Sequence, residues 1–365
     1  MIEVSKIGGN KKKYMKIKFL IIVNLILSTH LFAQNQIDSN YLTAYQYLES
    51  SLKREIAPNL KQSVFVVENA YFNNQLSFQE YSSHISLLKG LAISMIANRK
   101  LIYEEKDKEK VEKFASVFTI LTDTTVIYND SLALHHLPFG YDFDDFFGDK
   151  DWSKTFVTKL LATKTGNCHS LPYLYKILCD ELGAEAHLAL APNHLYIKHH
   201  SKKTGWYNTE LTSATFPIDA WLMVSGYISL EAIQNAVYMD TIGTYRAVAL
   251  CVVDLGQGFA KKYPDNDGSF ILQCCELALK HFPTCINAML LKAETLFAQH
   301  KKLVKEKGKD DTETKAKFAE MNKTYQQIYQ SGYRQMPKQM YANWLLDLKE
   351  NKDKYINKKV AVFNK

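Results

Sequence analysis

The chain has 365 residues, 47% hydrophobic, 23% charged and 12% aromatic, which excludes an extended disordered polymer and allows two or three folded regions. Its net charge is +7, but residues 1–33 hold six of the 45 basic and one of the 38 acidic groups, so the remainder carries 39 basic and 37 acidic residues, net +2. A near-neutral body lacks the electrostatic footprint of a nucleic-acid binder. No apolar run reaches the roughly 20 residues of a membrane-spanning helix.

The chain begins with Lys11, Lys12, Lys13, Lys16 and Lys18, then an apolar run over 19–27 broken only by Asn24, and reaches Ala33 before Gln34. A basic start, a short apolar core and a small residue at the cut form a secretory signal peptide over 1–33, with Met15 an alternative start and an uncleaved anchor the alternative fate. The expectation is an exported protein, periplasmic or secreted, with no membrane span after cleavage.

Residues 34–124 read as a helical region. Ser77 and Glu80 form a capping box ahead of Tyr81, Ile85 and Leu88, and Val64, Val67 and Tyr71 repeat at helical spacing before it. A core over 125–240 follows. In its aromatic and acidic stretch 138–151, Asp142, Asp144 and Asp145 fail the spacing of a calcium loop, because Phe147 stands where the turn glycine belongs. Asp265, Asp267 and Gly268 fail as well, and both segments read as polar turns. Leu171, Leu174, Tyr175, Leu178 and Leu182 make one face of a buried helix that Gly183 ends. Residues 187–191, 194–199 and 205–211 read as strands, separated by Pro192-Asn193 and by the turn at 202–205.

Residues 241–348 read as helical again. Pro283 closes one helix and 288–297 begin the next, which puts Ile271 and Ala278 at the packing positions of a tetratricopeptide-like unit of about 34 residues. Phe318, Met321, Tyr325, Ile328 and Tyr329 form a further amphipathic face. The charged stretch 301–316 reads as solvated loop, and 349–365 as a charged tail.

Cys168 follows Gly166-Asn167 at the start of the apolar-striped helix, where unpaired N–H groups and the helix dipole favour a thiolate. His194 opens the second strand. A helix followed by a returning strand brings that position back beside the helix start, where an imidazole can take the thiol proton. On the third strand Trp206, Asn208 and Glu210 share a face, so Glu210 or Asn208 can hold the other imidazole nitrogen. Cys179, eleven residues on in the same helix, lies about 16 Å away, beyond disulfide reach, so Cys168 is expected as a free thiol. Cys251, Cys274, Cys275 and Cys285 fall in the helical repeats. A metal site from Cys168, His169, His194, His199 and His200 lacks paired ligand spacing, and His199 and His200 point to opposite strand faces. Neither a metal nor a cofactor is expected.

Gly166-Asn167-Cys168-His169-Ser170-Leu171-Pro172, Ala191-Pro192-Asn193-His194-Leu195-Tyr196 and Gly205-Trp206-Tyr207-Asn208-Thr209-Glu210 together resemble the transglutaminase-like superfamily, closest to its short bacterial SirB-type branch with C-terminal tetratricopeptide repeats. The resemblance implies an α+β fold, with a papain-like transglutaminase-type core between the two helical regions. It also implies a Cys-His-Asp triad in this chain order, carried by Cys168 and His194. Glu210 stands where the family has aspartate, four residues after the tryptophan of a Gly-Trp pair, with Asn208 in reserve. The implied activity is acyl transfer through a thioester on Cys168, by hydrolysis or transamidation of an amide in a protein or cell-wall peptide. The alternative is an inactive core used as a protein-binding module, with a partner on the repeats.

Overall fold

The computed structural model describes residues 37–129, 132–351 and 355–363. The signal-peptide reading of residues 1–33 lies outside them. The first helices are α1 (Ser39–Leu52), α2 (Leu60–Tyr71), α3 (Phe78–Asn98) and α4 (Lys108–Thr122). Asp38, Asn59 and Ser77 cap the first three by accepting from Asn40 N, Gln62 N and Glu80 N, satisfying donors that a helix start leaves open.

The next strands, β1 (Thr125–Asn129) and β2 (Leu132–His136), pair antiparallel. They lead to β3 (Gly140–Tyr141), a 3-10 turn at Trp152–Thr155, α5 (Val157–Thr163) and β4 (Thr165–Gly166). β3 and β4 pair in parallel with Tyr141 opposite Gly166. A side chain at Gly166 would collide with Ser170 Oγ and Leu160, so only glycine lets this strand approach the next helix. That helix, α6 (Ser170–Glu181), precedes the antiparallel sheet β5 (His187–Ala191), β6 (His194–Ser201) and β7 (Gly205–Thr209), in that spatial order. Asn193, in the turn between β5 and β6, takes the left-handed φ of 59° that asparagine tolerates.

The chain ends in helices α7 (Asp219–Ser225), α8 (Leu230–Gln234), α9 (Thr244–Lys262), α10 (Ser269–His281), α11 (Ile286–Lys307), α12 (Thr312–Gln330) and α13 (Lys338–Glu350). The fold is α+β and mostly helical. Helix α6 lies between α4 and the sheet, while α9 packs on α1 and α2 on one side and on α10 and α11 on the other. From α9 to α12 each helix packs on the next. Ile271 and Ala278 are both buried there. One hydrophobic core runs from Tyr41 to Phe363. No helix among the described residues is long and apolar enough to cross a membrane.

Two charged stretches differ from expectation. Residues 301–316 are not a loop: α11 continues to Lys307, and α12 starts at Thr312 behind an Asp311 cap that accepts from Glu313 N and Thr314 N. Lysine and glutamate are good helix formers, and here they cover solvent-facing turns. The tail is docked as well. Ile218 N donates to Tyr355 O, Asn357 N donates to Phe216 O, and Phe363 is buried. Apolar anchors spaced among the lysines outweigh the preference of the charges for water.

Long-range polar ties position the layers. The buried Glu68 of α2 accepts from Val157 N at 2.7 Å and Thr158 N at 2.8 Å, and so caps α5. The buried Lys176 of α6 donates to Asp180, to Ala186 O and to Thr244 Oγ1, tying α6 to the entries of β5 and α9. Glu68→Ala is expected to destabilise the protein by about 1–3 kcal/mol, because one buried and one half-buried N–H group lose their acceptor. Urea denaturation measures the difference, and a variant as stable as the parent would contradict this role.

Candidate active site

The turn before α6 is organised by Asn167. Its Oδ1 accepts from His169 N at 3.0 Å and Ser170 N at 3.2 Å, and its Nδ2 donates to Phe146 O at 3.0 Å. Asn167 is therefore the capping side chain. Cys168 lies in the turn just ahead of the helix rather than within it, still beside the open N–H groups of the first turn. A Gly-Asn pair reads equally as a turn and as a cap, which is why the sequence leaves this two-residue offset open.

His194 stands at the first position of β6, and Glu210 lies just past the end of β7, held by a two-way backbone bridge to Thr215. His194 Nε2 is 2.6 Å from Glu210 Oε2, with both side chains almost fully buried. Glu210 Oε1 also accepts from Thr212 N at 2.8 Å. On its other side, His194 Nδ1 lies 3.0 Å from the Tyr341 hydroxyl, which donates to Cys168 Sγ at 3.2 Å. The sulfur also faces Asn193 O at 3.8 Å. Tyr141 brings a second buried hydroxyl beside Cys168 and Tyr341, without a well-formed hydrogen bond.

The sequence-predicted residues divide cleanly in space. Cys168, His194 and Glu210 meet at this point. Asn208 does not join them: its Nδ2 donates to Pro217 O at 3.0 Å and Asp219 Oδ1 at 2.7 Å, anchoring the start of α7. Trp206 is exposed, edge-on to His187 and His200. His199 is buried, stacked on Phe114 and bonded to the Tyr175 hydroxyl at 3.0 Å. Among the described residues no group of three or more His, Cys, Asp or Glu side chains is placed to hold a metal.

The electrostatics favour a charged pair. Burial pushes the Cys168 thiol up, but the nearness and charge of His194, the Tyr341 hydroxyl and the charge of His169 outweigh it and hold the thiol below its usual value. Burial pushes His194 down, and Glu210 together with Cys168 overrides this and lifts the imidazole to about 10. Glu210 is raised by burial and lowered further by His194, ending below the usual carboxylate range. The other five cysteines are buried and unbridged, and burial raises each of their thiols.

A second imidazole borders the same sulfur. His169 Nδ1 lies 2.9 Å from Thr155 O, and its Nε2 lies 3.0 Å from Asp254 Oδ1, while Tyr173 donates to Asp254 Oδ2 at 2.8 Å. Both ring nitrogens face acceptors, so only the doubly protonated ring satisfies both. Burial pushes His169 down, but the Asp254 charge raises it to about 9. Cys168 and His169 open onto a cavity of about 300 Å³ that His194 also lines, walled by Phe146 and Phe147 and, from α11, by Leu290.

Sequence reading missed Tyr341, Asp254 and Tyr173. Asp254 had a signal, as the one charge in the apolar stretch 247–255 of α9. Tyr341 lies 173 residues beyond Cys168 with no motif around it, so only the fold connects them.

No family model matches the sequence, and no curated protein matches it. Among solved structures, a crystal structure of menin, described as revealing the binding site for the Mixed Lineage Leukemia protein, aligns with a TM-score of 0.34 and 11% identity over 80% of this chain and 73% of that one.

The His169–Asp254 contact has a defined pH signature. His169 is raised from 6.5 to about 9 in the folded state, so its contribution to stability is fully present below about pH 6.5 and is lost as pH rises through about 9. Asp254→Asn is expected to cost about 1–3 kcal/mol at pH 6 and much less at pH 10. Urea denaturation at the two pH values checks this, and an equal loss at both would refute the assignment.

Proposed function

We propose that the chain is an exported cysteine-dependent acyl-transfer enzyme with a papain-like, transglutaminase-type core and tetratricopeptide-like C-terminal helices. The observation that carries this reading is the hydrogen-bonded row of Cys168, Tyr341, His194 and Glu210 at the wall of a cavity of about 300 Å³. The thiolate of Cys168 attacks an amide carbonyl and forms a tetrahedral intermediate, with the Cys168 N–H as one oxyanion donor. The protonated His194 then gives its proton to the departing amine, leaving a thioester. Water or an acceptor amine attacks next, with His194 as general base. Glu210 fixes the orientation of the ring and stabilises its positive charge. An amide of a protein or a cell-wall peptide fits this chemistry, with one side chain or terminal group entering the cavity. The chemistry needs no cofactor.

The test is site-selective alkylation. At pH 7 in the native, unreduced protein, iodoacetamide should modify Cys168 at least about 10-fold faster than any other cysteine. Incubation with amide donors should leave an acyl group on Cys168 that peptide mass spectrometry detects. Cys168→Ser should reduce turnover on the order of 10³-fold or more with the fold retained, and Glu210→Ala should cost more activity than Asn208→Ala. A Cys168 that reacts no faster than an ordinary thiol and acquires no acyl group would put the docking-module reading first. In that reading the C-terminal helices hold a protein partner.

A further inference from the structure

We propose that the Tyr341 hydroxyl is a catalytic group, a bridge that holds the Cys168 thiolate and the His194 imidazolium together. This rests on the acyl-transfer reading and adds to it a residue outside the Cys-His-Glu set.

The geometry is that of a two-sided bridge. One hydroxyl lies 3.2 Å from Cys168 Sγ and 3.0 Å from His194 Nδ1. A hydroxyl has one proton to give and lone pairs to accept with. With the pair charged, the Nδ1–H of the imidazolium donates to the phenol oxygen and the phenol O–H donates to the thiolate. Both bonds are then charge-assisted. With the pair neutral, the thiol S–H donates to the phenol oxygen and the phenol O–H donates to Nδ1. Passing from neutral to charged moves the thiol proton to the phenol oxygen and the phenol proton to Nδ1. The tyrosine ends as it began, one S–H bond is broken and one N–H bond is formed.

The surroundings keep the hydroxyl in this place and in this protonation state. The Tyr341 side chain is fully buried, stacked on Phe147 at 5.3 Å and on Trp344 at 5.7 Å. Trp344 also meets the edge of His194, 4.7 Å between ring centres. The entry to α13 is fixed from two sides. Asn193, the residue before His194, donates from Nδ2 to Met336 O at 3.2 Å, and Lys338 pairs with Asp149 at 2.7 Å. Burial, reinforced by Cys168, pushes the phenol well above its usual value, so it stays an O–H donor and does not compete with His194 as a base. A tyrosine serving only the core could satisfy its hydroxyl on a backbone carbonyl. This one reaches the two groups that exchange the proton.

The test uses the full chain and the pH dependence of Cys168 alkylation by iodoacetamide, read by peptide mass spectrometry. The rate rises as pH passes through the thiol pKa, because the thiolate is the nucleophile. Tyr341→Phe keeps the ring and removes the bridge. Its midpoint should move up by about one pH unit, with a roughly 10-fold slower reaction at pH values below both midpoints. An unchanged midpoint, or faster alkylation at every pH, would overturn the proposal, the latter because the hydroxyl would then be a cap on the sulfur. A second measurement needs no variant. The ¹³Cζ resonance of labelled Tyr341 in the parent protein should shift with the same midpoint as the alkylation rate, and a resonance that ignores that midpoint would also overturn it. An ordinary thiol midpoint in the parent protein would defeat the acyl-transfer reading itself. An activated parent thiol with an unmoved Tyr341→Phe midpoint would defeat only the bridge.

Discussion

The contact between His194 and Glu210, 2.6 Å long and closed off from water, is the constraint around which the centre of the protein is arranged. Removing two opposite charges from water costs several kcal/mol per ion, and their attraction recovers it only when the remaining valences are also met. Here they are. The second oxygen of Glu210 takes Thr212 N, and the second nitrogen of His194 takes Tyr341. The pair thereby fixes the start of β6, the turn that follows β7 and the approach of α13. Deleting either partner would strand a charge in the interior.

The surrounding layers use the same solution repeatedly. Glu68, Lys176 and Asp254 are ionisable side chains in or near the apolar interior, and each is met by donors or acceptors from a distant part of the chain. Such ties add little net free energy, but they penalise any packing in which a partner is missing. This is how helices from both ends of the sequence hold a short sheet and the half-buried turn before α6 in register. Proposed as an enzyme, the molecule has a nucleophile in a turn, a base on a strand and a bridging phenol on a late helix, with Trp344 packed against both the base and the phenol.

Much of this was legible in the sequence where periodicity or a local motif carried it. The apolar stripe of α6, the three strands with their Asn193 turn, and the meeting of Cys168, His194 and Glu210 are all short-range patterns joined by tight connections. The segment at 301–316 misled because charge content reports exposure and says nothing of conformation, and lysine-rich turns of helix are as soluble as loops. Residues 355–363 misled because Tyr355 and Phe363 are too sparse to show a period, yet Phe363 is buried in the core and Tyr355 packs half-buried against it. Tyr341 and the His169–Asp254 contact were beyond reach for a different reason. They depend on how α13 and α9 pack against a distant turn, and no local spacing encodes that.

Helix α13 has a consequence for the order in which the molecule becomes competent. Cys168, His194 and Glu210 are complete in a chain that has grown only to residue 210, but the phenol that touches both reacting groups arrives more than a hundred residues later. On the bridge reading, a nascent or partly unfolded chain carries a less activated sulfur, and its full reactivity below the thiol midpoint appears when α13 seats. The same linkage operates in reverse after folding. Each detachment of α13 raises the thiol midpoint again, so the population of fully activated molecules is set by the docking equilibrium of one C-terminal helix, whose constant shifts tenfold for about 1.4 kcal/mol lost from that contact.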